Sequence, residues 1–186
     1  MDTNQTEAIS ACQRGELEKF AILYEMFVDK IYRFIYYKTM HTETAEDLTS
    51  QTFMKALEKI NTYDSEKGLF ATWLYQIARN TVIDHYRNSY PEEDLVDAWH
   101  LGDKTDLVAE FDNRELLLKV QKYINKLQPE QREVVLLRLW DNLPYQEIAS
   151  LLGKTEASCK MIFSRALIKM QDEIILLLFA LIINYL

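Results

Sequence analysis

The amino-acid sequence predicts an all-α protein made of two small helical domains. Only four glycines and three prolines punctuate its 186 residues, which favours long helices over a sheet joined by many tight turns. Apolar residues make up 48% of the chain and aromatic residues 12%, enough to build packed cores. In several segments the apolar residues recur at steps of three and four, the spacing of a helix with one buried face.

The first long helix is predicted from residue 17 to residue 38, where apolar residues keep to one stripe for about six turns. Because the stripe is continuous, this segment is expected to be a long core helix. Its predicted buried residues are Leu17, Phe20, Tyr24, Phe27, Ile31 and Phe34, and the stem of Lys38 ends the stripe.

A second helix is expected after the sequence MHTE. Thr44 and Asp47 have the three-residue spacing of a capping box at its start. Its predicted buried side consists of Ala45, Leu48, Thr52, Phe53, Ala56 and Ile60. Its other face is polar, and taken alone it would be read as solvated surface. That face consists of Glu43, Glu46, Asp47, Gln51 and Lys55.

The segment FATWLYQIARNTVIDHYR, residues 70–87, predicts a helix with two faces. The buried face consists of Phe70, Trp73, Leu74, Ile77, Ala78 and Thr81. A second stripe consists of Gln76, Asn80, Asp84 and Arg87, flanked by Tyr75 and Arg79. Aromatic, amide and cationic side chains of these types stack on nucleic-acid bases and hydrogen-bond to them. Spacing favours a packing role for Trp73, whereas the mid-helix Asn80 has no capping use and favours recognition.

A polar loop, NTYDSEKG, precedes this helix. We expect it to be mobile and able to clasp a ligand laid across the helix.

The charge of the chain is concentrated in one segment. The formal net charge is −8, and residues 91–110, PEEDLVDAWHLGDKTDLVAE, contribute −6 through one lysine and seven acidic residues. This segment contains Pro91 and Gly102 and lacks sustained helical periodicity. We therefore expect residues 91–111 to link a first domain, 1–90, to a second domain, 112–172. The alternative is that this segment has no specific role and serves only as a solvated spacer.

The second domain has the spacing of a helix-turn-helix. Pro129 begins one helix, DNLP interrupts the chain, YQEIASLL forms a short helix, and Gly153 turns into a longer helix capped by Thr155. The longer helix is expected to lie in a DNA major groove. A helical hairpin used only for protein contacts is the alternative. The short helix is expected to bury Ile148, Ala149 and Leu152, and the cationic positions at the longer helix are Lys154, Lys160, Arg165 and Lys169.

Composition and motifs exclude the common catalytic classes. The chain contains no GxGxxG, GxxxxGK[ST], HExxH or GxSxG pattern, and its three histidines are scattered. Cys12 and Cys159 have no metal-ligand spacing, and the opening MDTNQTEAIS contains no apolar signal segment. We therefore expect a cytoplasmic protein that is not an enzyme and uses no cofactor and no metal.

Three segments together carry a family resemblance. AEDLTSQTFMKAL (45–57), FATWLYQIARNTVIDHYR (70–87) and LQPEQREVVLLRL…LPYQEIASLLG…KMIFSRA (127–166) resemble, in this order, the bacterial sigma factors of RNA polymerase. The two-domain form is similar to the extracytoplasmic-function group, and the resemblance extends from about residue 17 to residue 171. It implies that the first domain is sigma region 2 and the second is sigma region 4.

The resemblance also implies partners and sites. The expected partners are core RNA polymerase, through its β′ clamp helices and β flap, promoter DNA, and an anti-sigma factor. The residues expected to bind the polymerase are Asp47, Leu48, Gln51, Thr52 and Phe53. Those expected at the −10 element, with Asn80 taking a flipped base, are Trp73, Tyr75, Gln76, Arg79, Asn80, Asp84 and Arg87. Those expected at the −35 element are Lys154, Thr155, Ala157, Ser158, Lys160, Met161, Ser164 and Arg165.

Two positions depart from the family pattern. Pro144 stands where a serine N-cap is common, and Ile162 stands where a second arginine commonly follows the lysine of the recognition helix. Both departures predict weaker binding of DNA phosphates by the second domain. Two other functions stay open: a helix-turn-helix regulator that binds DNA without polymerase, and a sigma-like protein that sequesters a partner at a membrane.

The tail, residues 173–186, has no counterpart in the family pattern. Residues 174–183 are ten consecutive apolar residues, and as a helix they would be about 15 Å long, half of a hydrocarbon core of about 30 Å. The tail is therefore too short to span a bilayer. Packing against the protein or a partner is favoured over contact with a membrane surface or the remnant of a longer membrane segment.

Overall fold

A computed structural model describes residues 3–89, 124, 126–139 and 141–169 of the chain, and within these ranges every regular element is helical. This confirms the predicted all-α class. The chain divides into two compact units, Met1–Thr105 and Asp106–Leu186, and each is described by itself. The predicted linker, 91–111, and the predicted tail, 173–186, lie outside the described residues.

Within residues 3–89 the first unit contains four α-helices, and α2, α3 and α4 pack against one another around its core. The ring centroids of Phe27 and Phe70 are 5.5 Å apart, and those of Phe34 and Tyr75 are 5.0 Å apart. Aromatic contacts therefore join α2 to α4. The helices are α1 (Thr3–Gln13), α2 (Phe20–Thr39), α3 (Thr42–Glu58) and α4 (Phe70–Ser89), with single 3-10 turns at Leu17–Lys19 and Ile60–Thr62.

The start of α2 differs from the prediction. Leu17 lies in the 3-10 turn and is exposed, and Tyr24 is 44% exposed. Four residues of the predicted stripe are buried as expected: Phe20, Phe27, Ile31 and Phe34. The predicted helical period was therefore correct, but two residues near the start of the stripe are exposed. Lys38 is itself buried, with its ammonium 4.9 Å from the centre of the Phe34 ring.

The N-terminus of α3 is capped by a different residue from the one predicted. The helix begins at Thr42, and the ring Nδ1 of His41 accepts a hydrogen bond from the backbone N–H of Thr44. The predicted cap at Thr44 is therefore wrong, because Thr44 is already inside the first turn. The predicted buried side of α3 is confirmed.

The C-terminus of α2 depends on a residue far along the chain. The hydroxyl of Tyr86, on α4, donates a 3.1 Å hydrogen bond to the carbonyl of Lys38 in a buried position. The last carbonyls of a helix have no partner within it, so Tyr86 satisfies one of them. Met40 then ends α2 in the left-handed conformation at φ 53°.

The second unit confirms the helix-turn-helix almost residue by residue. In the described part of this unit, the helices of the motif are α5 (Pro129–Leu139), α6 (Tyr145–Leu152) and α7, which is described over 156–169. Gly153 adopts φ 65°, and Thr155 Oγ1 accepts the backbone N–H of Ser158 at 3.1 Å. The predicted turn and cap are therefore both present. One core residue differs, since Leu151 is buried and Leu152 only half-buried.

Both cysteines are free and buried. Loss of hydration raises the thiol pKa of Cys12 and of Cys159. Among the described residues, no helix has the length and apolar content needed to cross a membrane, and no group of metal-ligating side chains is present.

Candidate nucleic-acid and protein interfaces

Only part of the predicted polymerase-binding set is exposed on the outward face of α3. Asp47 and Gln51 are exposed, whereas Leu48, Thr52 and Phe53 are buried. The hydroxyl of Thr52 donates to the carbonyl of Leu48 at 2.6 Å and is satisfied within the helix. The buried positions of Leu48, Thr52 and Phe53 contradict a direct contact by these three side chains, because all of them belong to the core.

Exposed apolar side chains lie beside this face, and the sequence did not predict them. Tyr24 lies edge-on to Phe53 with ring centroids 4.8 Å apart, and Met54 is 65% exposed. The sequence assigned Tyr24 to the core stripe and Phe53 to the buried side of α3, and it did not single out Met54, the residue after Phe53.

A polar stripe runs along α4 as predicted. The amide Nε2 of Gln76 donates a 3.0 Å hydrogen bond to Oδ1 of the exposed Asn80. One turn further, Arg87 pairs with Asp84 at 3.1 Å. Lys55, on α3, reaches the Thr81 hydroxyl at 3.2 Å and the Asp84 carboxylate at 3.9 Å. The stripe is therefore ordered by its own contacts and linked to α3.

Two aromatic residues of the predicted −10 set have different surroundings. Tyr75 is 0% exposed and packs edge-on against Phe34, so its ring is closed to DNA and its predicted contact is wrong. Trp73 is half-buried, and its ring lies 5.3 Å from Phe70 and 5.7 Å from Tyr63. Trp73 is therefore a packing residue with one accessible part. Arg79 is also half-buried.

The loop before α4 contains internal hydrogen bonds and an ion pair. The hydroxyl of Tyr63 donates to the carbonyl of Gly68 at 3.1 Å. The carboxylate of Asp64 accepts the backbone N–H of Glu66 at 3.0 Å and pairs with Lys67 at 3.3 Å. The Glu66 N–H, followed by the Lys67 ammonium, lowers the pKa of Asp64. These contacts fold the loop back on itself beside α4.

The outward face of α7 presents most of the predicted −35 set. Lys154 and Ser158 are half-buried. The exposed members are Thr155, Ala157, Lys160, Met161, Ser164 and Arg165.

Two of the predicted cations on this face are already paired. Lys160 contacts Glu156, one turn earlier on α7, at 2.6 Å, and Lys154 pairs with Glu130 on α5. The ammonium of Lys160 also lies 5.8 Å from the centre of the Tyr145 ring. The attraction of this surface for phosphate is therefore reduced by its own acidic residues.

The two departures from the family pattern have structural counterparts. Pro144 is the N-cap of α6 and makes no side-chain cap hydrogen bond. Ile162 is buried, so its side chain contributes to the core of the second unit and not to the DNA-facing surface.

Two family models match the chain in sequence order. The sigma-70 region 2 model matches residues 23–90, which include α2, α3 and α4. The sigma-70 region 4 model matches residues 117–170, which include α5, α6 and the described part of α7.

Relatives with known assignments are similar over most of the chain. The ECF RNA polymerase sigma factor BldN of Streptomyces coelicolor is 36% identical over 166 residues, which are 86% of this chain and 62% of BldN. The ECF RNA polymerase sigma factor SigM of Bacillus subtilis is 30% identical over 148 residues, which are 77% of this chain and 88% of SigM. SigW of the same organism is 31% identical and is covered over 83% of its length.

Solved structures share the fold. CnrH, in complex with the cytosolic domain of CnrY, aligns with a TM-score of 0.67 at 18% identity over 90% of this chain and 94% of CnrH. The sigma factor RpoE of Bartonella quintana, in complex with the anti-sigma factor NepR, aligns with a TM-score of 0.64 at 22% identity over 83% of this chain and 96% of RpoE. Because both regions match in order, and SigM and SigW align over most of their length at 30% identity or more, the chain belongs to the extracytoplasmic-function group of the sigma-70 family of RNA polymerase sigma factors.

Proposed function

We propose that this chain binds core RNA polymerase in the cytoplasm and directs promoter recognition and transcription initiation. The supporting observation is the ordered pair of region 2 and region 4 matches on two helical units that each present a polar helix face. The polymerase supplies the chemistry, so the proposal requires no catalytic residue, cofactor or metal in this chain.

The face of α3 is the proposed docking surface for the β′ clamp helices. Asp47 and Gln51 are the exposed polar groups, and Tyr24 and Met54 offer exposed apolar area nearby. Polar groups beside exposed apolar side chains are typical of a protein interface. Phe53 supports this surface from below through its contact with Tyr24.

The stripe on α4 is the proposed site for the non-template strand of the −10 element. An extruded base presents its hydrogen-bonding edge, which an exposed asparagine amide can bind with both a donor and an acceptor. Extrusion costs a few kcal/mol, and a site that binds only the extruded base lowers the free energy of the melted state. Asn80 is the proposed base-binding residue, with Arg87 placed to contact the backbone.

The face of α7 is the proposed reader of the −35 element, and the second unit is also the proposed partner of the β flap. Phosphate contact would fall mainly on Arg165, because Lys154 and Lys160 are engaged with glutamates. Weak DNA binding by this unit is compatible with a subunit whose affinity for promoter DNA comes from the assembled polymerase. The net charge of −8 also opposes binding of the free protein to bulk DNA.

An anti-sigma factor is the proposed regulator. RpoE of Bartonella quintana is held by the anti-sigma factor NepR, and we propose a comparable partner for this chain.

The decisive experiment is run-off transcription on genomic DNA with core polymerase, with and without the purified protein, followed by sequencing of RNA 5′ ends. We expect new start sites that depend on the added protein and share two upstream elements. Tight sequence-specific binding of duplex DNA by the free protein at physiological salt would favour a polymerase-independent regulator. Binding to core polymerase without any new start site would favour a sequestering protein.

A further inference from the structure

We infer that Gln13, the last residue of α1, is a positioning residue for the loop that precedes the −10 recognition helix. Its Nε2 donates hydrogen bonds to the carbonyl of Ile60 at 3.1 Å and to the carbonyl of Tyr63 at 2.9 Å. An amide nitrogen has two N–H donors, so both are used. The region 2 match begins only at residue 23, so Gln13 lies outside it. The inference rests on the proposed role of region 2.

Gln13 is held in place by the end of its helix. Ala8, Ile9 and Cys12 bury one side of α1, and the helix packs against α2 and the turn Ile60–Thr62. After Gln13, Gly15 adopts φ 101°, its N–H bonds to the carbonyl of Cys12, and the next N–H bonds back to Ala11. This is a Schellman ending, and it fixes the backbone from which the Gln13 side chain extends.

Tyr63 is the point at which this link reaches the recognition helix. Its side chain is buried, and its ring centroid lies 5.2 Å from that of Phe70 and 5.7 Å from that of Trp73. Its hydroxyl donates to the carbonyl of Gly68. Tyr63 therefore accepts the hydrogen bond from Gln13, packs against the first turn of α4 and bonds to Gly68 at the other end of the loop.

A cleft of about 220 Å³ lies between part of α1 and the loop. The two Gln13 bonds therefore hold the loop at one end of the cleft. The lining residues are Thr6, Ile9, Ser10, Gln13, Tyr63, Asp64 and Ser65.

A loop held in one position can discriminate between bases, whereas a released loop adapts to several. Gln13 should therefore affect base selectivity at the −10 element, and it should leave polymerase docking unchanged because the proposed docking residues on α2 and α3 lie outside the loop. Loss of Gln13 donation should act through Tyr63 and the residues that follow it.

The test compares three full-length variants with the natural protein. Gln13→Glu keeps the size of the side chain but removes both donors, and Gln13→Lys supplies donors again on a flexible side chain that is one bond longer. Gln5→Glu, on the same helix, makes the same change of charge away from the loop. Amide exchange of residues 63–69 is measured in the free proteins, and open-complex formation is measured with core polymerase on promoters varied at each −10 position.

We expect exchange of these amides to be about tenfold faster in Gln13→Glu, with base selectivity at one −10 position lowered about threefold or more. Polymerase affinity should stay within twofold of the natural value. Gln13→Lys and Gln5→Glu should behave as the natural protein does.

Two outcomes overturn the inference. One is unchanged exchange of the loop amides in Gln13→Glu; the other is faster exchange with unchanged base selectivity. Equal loss of selectivity in Gln13→Glu and Gln13→Lys also contradicts it, because donation would then not be the cause. If the natural protein opens no promoter with core polymerase, the proposed function fails, and the exchange experiment still tests the Gln13 link by itself.

Discussion

The amide of Gln76 donates a 3.0 Å hydrogen bond to Oδ1 of Asn80, one turn further along α4. This bond uses one of the two lone pairs of the Asn80 oxygen. The second lone pair and the Nδ2 donors are the groups available to a base. A side chain whose rotamer is already fixed loses less entropy when it binds, so under the proposed function the bond from Gln76 orients Asn80 for the base.

Asn80→Ala should reduce promoter opening by about 10- to 100-fold, the usual effect of losing one two-point base contact. Polymerase affinity should not change, because the proposed docking residues lie on α2 and α3 and not on α4. Permanganate reactivity of the melted region measures opening, and Asn88→Ala is a matched control on the exposed end of the same helix. Equal opening by the Asn80 and Asn88 variants would show that Asn80 holds no base.

Tyr75→Ala should lower the free energy of unfolding of the first unit by about 3–5 kcal/mol, as expected for removing a buried aromatic ring. Because the ring is closed to DNA, base selectivity of the remaining folded protein should be unchanged. Urea unfolding measures the first effect. Arg87→Ala, at an exposed position, should show the opposite pattern, with weaker promoter binding and little change in stability. A selectivity change in stable Tyr75→Ala protein would contradict the structure.

Glu156→Gln should strengthen binding of the holoenzyme to a −35 duplex, because it frees Lys160 from its 2.6 Å ion pair. The slope of log affinity against log salt should steepen by about one, the effect of one additional phosphate contact. Glu58→Gln, on the first unit, is the control for net charge. A weaker complex in Glu156→Gln would instead mean that Glu156 itself reads a base.

Gly153→Ala should destabilise the second unit by about 1–2 kcal/mol, because φ 65° is the left-handed region in which a Cβ is strained. No atom lies within 4 Å of the added Cβ, so the cost is in the backbone alone. Gly153→Asn should cost less, since asparagine tolerates this conformation. Thermal unfolding of both variants tests the order, and an equal cost for both would refute the backbone explanation.

The two thiols should react slowly in the native protein. Burial raises the pKa of Cys12 and Cys159, so at pH 8 fewer thiolates form than in the unfolded chain, and reagent access is blocked. This protonation contributes stability that is present below the unfolded thiol pKa, about 8.5, and is lost as pH rises through the folded value. We expect labelling by a disulfide reagent to be at least about tenfold slower than in urea. Rapid labelling of either single-serine variant would contradict the burial of the remaining thiol.

Local signals predicted the second unit well. The start at Pro129, the short helix at 145–152, the turn at Gly153 and the cap at Thr155 are each determined within a few residues of sequence. Such features depend on backbone conformation and nearby donors, which sequence reports directly.

It was harder to predict which side chains of the first unit point into the core and which point to solvent. Tyr75 was expected beside the polar stripe and in contact with DNA, but it is buried and packs against the ring of Phe34, 41 positions earlier. Leu17 and Tyr24 fit the helical period of α2 yet lie at its exposed start. The orientation of a stripe depends on what packs against it, and periodicity alone does not contain that information. The helix α1 went unpredicted because its buried side consists largely of small residues.

The bond from Tyr86 to the Lys38 carbonyl makes folding of the first unit cooperative at its ends. A buried carbonyl without a partner costs about 1–3 kcal/mol, so the end of α2 is stable only when the last turns of α4 are in place. The two termini of the helical core therefore cannot fray independently. A chain shortened before residue 86 should lose protection at residues 35–39 as well, although these lie almost fifty positions from the cut.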